Sequence, residues 1–199
     1  MIARYAEDVA TPTYGVVCSE LHAARQHLYD MVRPLSQAEL QWLPPRPDGI
    51  SISYHFGHIA LIEDVEIARA AERPLLAPAG IQDAFGVHNV DNRDARFPSG
   101  AEIIDYMQSV RARTLQELAM AFRSVPDDAA ARIAAEPFRR IINHEYSHTK
   151  YIRRIRAEMG QAPVGPPTSE LVQADERAIA PPQYSIQRWD VLARAGGGS

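Results

Sequence analysis

The chain has 199 residues, 46% hydrophobic and 23% charged, which is the size and composition of one folded domain and excludes a disordered or fibrous protein. Twenty-one lysines and arginines against 25 aspartates and glutamates leave a net charge of −4. With no long basic stretch, nucleic acid and anionic membrane are not expected partners.

The one cysteine, Cys18, rules out an intrachain disulfide. The opening residues lack a signal-peptide apolar core, and no stretch reaches the ~18 apolar residues of a membrane span. A soluble, cytoplasmic protein is expected.

Helical periodicity first appears from Tyr14 to Arg33, where Val17, Leu21, Ala24, Leu28 and Met31 follow in steps of four and three. Cys18, beside that stripe, reads as a small buried residue, whereas His22 and His27 fall off it. Pro34 and then Trp42 to Gly49 break the pattern. The second helix is expected from about Ser51 to Arg73, capped by Ser51 or Ser53. His55, His58, Ile62 and Val65 form its stripe, with Tyr54, Leu61 and Ala68 alongside. Pro74 to Phe97 is a long connection with Pro78, Gly80 and Gly86, and connections of that length are usually functional.

The third helix is expected from Ser99, where Glu102 completes a capping box, through Ile103, Met107, Val110, Leu115, Leu118 and Phe122 to about Ser124. Pro126-Asp127-Asp128 interrupts, and a short helical turn is expected at Ala129 to Ala134. The fourth helix is expected to begin at Pro137 and to stop near Gly160. Residues 1–160 are thus expected as one all-α domain, with no convincing strand. Residues 161–199 read as a Pro-rich linker and an irregular tail, in which Trp189 could dock on the domain.

The fourth helix carries Ile141-Ile142-Asn143-His144-Glu145-Tyr146-Ser147-His148. On the stripe Pro137, Ile141, His144, His148, Tyr151, Ile155 both histidines face inward, and two imidazoles four residues apart can reach one metal ion. Buried together without partners they would be costly, and a shared metal removes that cost. His58 is the expected third ligand, with His55 one turn earlier as its substitute or supplement and His88 a weaker candidate.

The string His144-Glu145-Tyr146-Ser147-His148 also matches the zinc-protease pattern H-E-x-x-H, in which Glu145 would be the general base. Tyr151 and Arg154 stand where the longer metzincin motif needs Gly and His, and no strand edge is available to hold a peptide. A protease is not expected.

Ser53-Tyr54-His55-Phe56-Gly57-His58-Ile59-Ala60 with Glu63, and then His144 to His148, resemble the DinB-like superfamily of metal-binding four-helix bundles. The resemblance covers about residues 14 to 160. It implies an all-α, four-helix bundle of DinB-like type, with a long connection between helices two and three and an irregular C-terminal tail. It maps His58, His144 and His148 to a metal triad in an open pocket at one end of the bundle. Relatives include thiol S-transferases and isomerases that use low-molecular-weight thiols such as bacillithiol, mycothiol or glutathione. The second helix, Tyr54 to Glu63, is also similar to that of the helical domain of ergothioneine-type sulfoxide synthases. Those enzymes carry a second large domain, so their full activity is not expected here.

Three histidine ligands leave positions open, which marks a catalytic more than a structural metal. Zinc is the first expectation, because it lowers the pKa of a bound thiol or water; imidazoles alone do not separate it from nickel or iron. The expected function is metal-dependent thiol activation and S-transfer to a small-molecule electrophile, with Glu145 and Tyr151 as catalytic candidates. Glu63 or Asp64 is the expected partner of a metal ligand, and Arg93 and Arg96 would meet an anionic thiol. The alternatives are a non-catalytic metal- or ligand-binding bundle, such as a homodimer, and iron-dependent oxygen chemistry of the sulfoxide-synthase kind.

Overall fold

Four serine, threonine or aspartate side chains start the four long helices. Thr13 Oγ1 accepts from the Val16 amide at 3.3 Å and opens α1, Tyr14–Val32. Ser51 Oγ accepts from the Tyr54 amide at 3.2 Å and opens α3, Ile52–Ala70. Ser99 and Glu102 form the expected reciprocal capping box at α5, Gly100–Phe122. Asp127 accepts from the Ala130 amide at 2.9 Å and opens α6, Asp128–Glu158. Each such contact satisfies an amide that has no partner within its own helix.

Two short helices lie between them, α2 at Gln37–Gln41 and α4 at Ala79–Phe85. The computed structural model describes residues 12–45, 49–86 and 96–165, and all six helices and no strand occur among them. The expected tail from 166 onward, Trp189 included, lies outside the described residues, as do His88 and Arg93.

The chain is all-helical over the described residues. α3 packs against α4, α5 and α6, while α1 packs against α5 and α6. α3 is enclosed so completely that every residue from Ile52 to Asp64 is buried, not only the one stripe read from the sequence. A helix buried on all sides carries apolar residues all round, as the run Ile59 to Ile62 does. The core around it includes Leu28, Met31, Phe56, Phe85, Met107 and Ile152, all essentially without exposed surface.

Two expectations need correction. α6 begins at Asp128, not Pro137, so the short turn expected at Ala129 to Ala134 is its first part. Asp127 caps an alanine-rich segment of high helix propensity, and buried Ala131, Ala135 and Phe138 hold it down on both sides of the proline. That packing outweighs the ~3 kcal/mol that proline costs inside a helix. The connection after α3 is also less irregular than expected, since α4 occupies part of it. Asp64 anchors its start, accepting from the amides of Leu76 at 2.9 Å and Ala77 at 2.8 Å and from the Tyr106 hydroxyl at 2.9 Å.

Candidate metal centre

The second-helix histidine and the two of the fourth helix meet. One ring nitrogen from each of His58, His144 and His148 lies within 4.8 Å of the others, and no other such cluster of potential ligands occurs among the described residues. Ring centroids are 5.3 Å apart for His58 and His144, 5.0 Å for His58 and His148, and 4.4 Å for His144 and His148. The last pair is a direct product of four-residue spacing on one face of α6.

The rings are suited to a cation. Burial holds His58 below the usual histidine pKa, against the opposing pull of the Phe85 carbonyl. His144 keeps some exposed surface, yet burial and then the neighbouring His58 and His55 push it down to about 3. Burial and the same cluster, His144 foremost, hold His148 well below the ordinary value. All three are therefore neutral near pH 7, the form that binds metal without first losing a proton.

Hydrogen bonding shows which nitrogens are left for it. His58 Nδ1 lies 2.9 Å from the Phe85 carbonyl, which can only accept, so Nδ1 carries the proton and Nε2 the lone pair. His148 Nδ1 lies 2.9 Å from His55 Nδ1, and His148 Nε2 is buried with no hydrogen-bond partner. An orphaned buried nitrogen beside two other imidazoles is what a metal ligand looks like when the protein alone is considered. The residues fit a divalent ion.

The family model of the DinB superfamily matches residues 20–152. The chain belongs to the DinB superfamily. It matches no curated protein.

What holds the site in this DinB-superfamily chain differs from the sequence expectation. Glu63 and Asp64 bond elsewhere, and neither partners one of the three histidines. That part is played by the Phe85 main chain and by His55, which the sequence suggested only as an alternative ligand. Gly57 explains how α4 comes close enough. A Cβ at Gly57 would overlap the Phe85 ring, so the glycine allows that ring to lie flat on α3 and puts its carbonyl over His58. Tyr54 stacks on His58, with the ring centroids 5.3 Å apart.

Tyr151 is half-buried, and its ring stacks on His55 at 5.4 Å with the planes 5° apart. It stands 6.2 Å from the His148 ring. Glu145 is fully buried, with Oε1 accepting from Arg25 Nε at 2.7 Å and Oε2 from Arg111 Nη2 at 2.8 Å. Glu63 completes the cluster, bound to Arg25 at 2.5 Å, to Arg111 at 2.8 Å and to the Thr114 hydroxyl at 2.7 Å.

This group ties α1, α3, α5 and α6 together. Its arginines were not singled out in the sequence, because nothing local marks a buried arginine whose partners lie far along the chain.

The remaining expectations are smaller. Cys18 is half-buried rather than buried, 3.6 Å from His22 Nδ1 within α1. His27, expected off the apolar stripe, is buried and approached by Arg153. Arg96 is exposed, while its neighbour Phe97 stacks on Phe85 at 5.6 Å. Among the described residues, no helix is long and apolar enough to cross a membrane.

Proposed function

We propose that the protein is a metal-dependent enzyme that uses His58, His144 and His148 to activate a thiol for S-transfer to a small-molecule electrophile. The convergence of three neutral imidazoles, one with an orphaned buried nitrogen, carries this reading. Membership of a superfamily whose proteins often bind metal supports it. A divalent ion held there, zinc first among the candidates, supplies Lewis acidity that lowers the pKa of a thiol or water and leaves coordination positions open.

The fold reading belongs to the same proposal: α1, α3, α5 and α6 are the four helices of a DinB-type bundle, with the site at one end. In it the thiol sulfur bonds to the electrophilic carbon, the thiol proton is released, and the electrophile's displaced group or added electron pair takes up a proton, so no oxidant is needed. Tyr151, beside the cluster and not wholly buried, is the chain's own group for handing on that proton. Glu145 serves by position: its oxygens are engaged by arginines, so it fixes the part of α6 that carries His144 and His148. The substrates are small molecules, with neither nucleic acid nor membrane as a partner.

Elemental analysis of the purified protein tests the site. Near-stoichiometric metal that falls in His58→Ala, His144→Ala and His148→Ala, each folded by circular dichroism, is the expected result. Metal uptake unaffected by these changes overturns it. Thiol conjugation to a model electrophile, lost on chelation and in His148→Ala, tests the activity. A loaded protein without turnover leaves a binding bundle, and iron with oxygen consumption replaces S-transfer by oxygen chemistry.

A further inference from the structure

We propose that His55 is a positioning residue of the metal centre, accepting the Nδ1–H of His148 and so holding that ring in the tautomer whose Nε2 lone pair faces the metal. The proposal rests on the metal reading above and deepens it.

A neutral imidazole carries one proton, so a hydrogen bond between two Nδ1 atoms has two forms. With the proton on His55, His148 carries its own on Nε2 and points an N–H at the space between His58 and His144. With the proton on His148 Nδ1, Nε2 presents a lone pair there and His55 keeps its proton on its own Nε2. Only the second form can bind metal. The first would bury a donor where no acceptor is found.

The geometry holds the acceptor in place. His55 is buried, lies on α3 one turn before His58, and has its ring plane fixed by the stack on Tyr151. Its ring centroid is 5.1 Å from that of His148, with the nitrogens 2.9 Å apart. The two ligands with bonded Nδ1 atoms thus differ in what receives the proton: a main-chain carbonyl for His58 and a side chain for His148.

Neither acceptor is a carboxylate. Carboxylates, the more usual partners of metal-bound histidine, make the imidazole more basic and the site less electrophilic. The buried acids nearest in sequence are engaged otherwise, Glu63 and Glu145 by Arg25 and Arg111, and Asp64 by main-chain amides, Tyr106 and Arg113. An imidazole in this role orients His148 without adding negative charge, which keeps a bound cation effective at acidifying a thiol.

The test uses the full chain with His55→Phe and His55→Gln. Phenylalanine keeps a flat ring for the Tyr151 stack and cannot accept, whereas the glutamine side-chain carbonyl can. Zinc affinity is measured by competition with a chromophoric chelator. The tautomer of His148 is read in the zinc-free protein from long-range proton–nitrogen correlations of 15N-labelled histidine.

Expected are a proton on His148 Nδ1 in the wild type and a mixture of tautomers in His55→Phe. Zinc binding should weaken about 10–100-fold in His55→Phe and stay within a few-fold of wild type in His55→Gln. A proton on Nε2 in zinc-free wild type overturns the proposal. So does unchanged affinity in His55→Phe, an equal loss in both folded variants, or direct zinc coordination by His55. If the wild type takes up no zinc, the metal reading fails, and the zinc-free spectrum still decides whether His55 sets the tautomer. Should His55→Phe not fold, the wild-type spectrum and His55→Gln decide alone.

Discussion

Arg25 on α1 and Glu145 on α6 share a hydrogen-bonded ion pair at 2.7 Å, with almost none of either side chain exposed. Arg111 holds the other oxygen of Glu145, and Glu63 bonds to both arginines. Charges this deep are costly to isolate, so removing one partner hurts far more than the pair contributes. Glu145→Ala should lower the unfolding free energy by about 3–5 kcal/mol in zinc-free protein, read by urea denaturation. Adding Arg25→Met should recover part of that loss, because without Glu145 two arginines share the one carboxylate of Glu63, and a double variant no more stable than Glu145→Ala would contradict this.

Acid should reach the same cluster through Glu63. Burial alone would raise its pKa, but Arg111 and Arg25 overcome that and hold it down to about 2. A carboxylate lowered in the folded state binds fewer protons there than in the unfolded chain, so its stabilisation is complete above about pH 4.5 and is lost as pH falls towards about 2. Denaturation of a His58→Ala, His144→Ala, His148→Ala triple variant between pH 5 and 2 separates this effect from the histidines. A Glu63→Gln version of that variant should lose part of the slope.

Gly57→Ala tests the seating of α4. The added methyl would overlap the Phe85 ring and drive it, and the carbonyl it carries, off His58. Overpacking of this kind costs about 1–3 kcal/mol. Zinc affinity should fall as well, in contrast to Gly80→Ala on α4 itself, where a Cβ meets nothing within 4 Å.

Tyr151→Phe separates proton transfer from packing. The ring that lies on His55 remains, and only the hydroxyl goes. Zinc affinity should stay as in wild type while thiol transfer slows about a hundredfold, the lower end of what a placed acid or base contributes. An unchanged rate would leave Tyr151 as a packing residue.

Glu72 is a stability prediction away from the site. It follows the C-cap of α3 with φ 53°, and the Arg73 amide reaches back to the Ala68 carbonyl at 2.8 Å. α6 closes in the same way through Gly160 at φ 75°, with the Gln161 amide 2.9 Å from the Arg156 carbonyl. Left-handed backbone suits glycine, so Glu72→Gly should stabilise by up to about 1 kcal/mol, measured as the denaturation midpoint.

The meeting of the three histidines was legible because His58, His144 and His148 sit on helix stripes whose period the sequence displays. Ser51, Ser99 and Glu102 were legible as caps for a similar reason, each acting within three residues of itself. His55 and Arg25 were not, since their decisive contacts are with residues 93 and 120 positions away. α4 is seven residues long and follows directly on Pro78, too short for a periodic pattern to declare itself. At Pro137 the local rule was sound, and burial of the neighbouring Ala135 and Phe138 overrode it.

The hydrogen bond from His58 to the Phe85 carbonyl has an evolutionary consequence. Every amino acid brings the same carbonyl, so position 85 can vary in its side chain without taking away the acceptor, provided the replacement still fits over Gly57. Drift is therefore constrained in shape there and not in chemistry. At position 55 the reverse holds, because the accepting atom belongs to the side chain. Lineages that retain the centre should show a loose choice of flat or slender residues at 85 and a narrow choice of hydrogen-bond acceptors at 55.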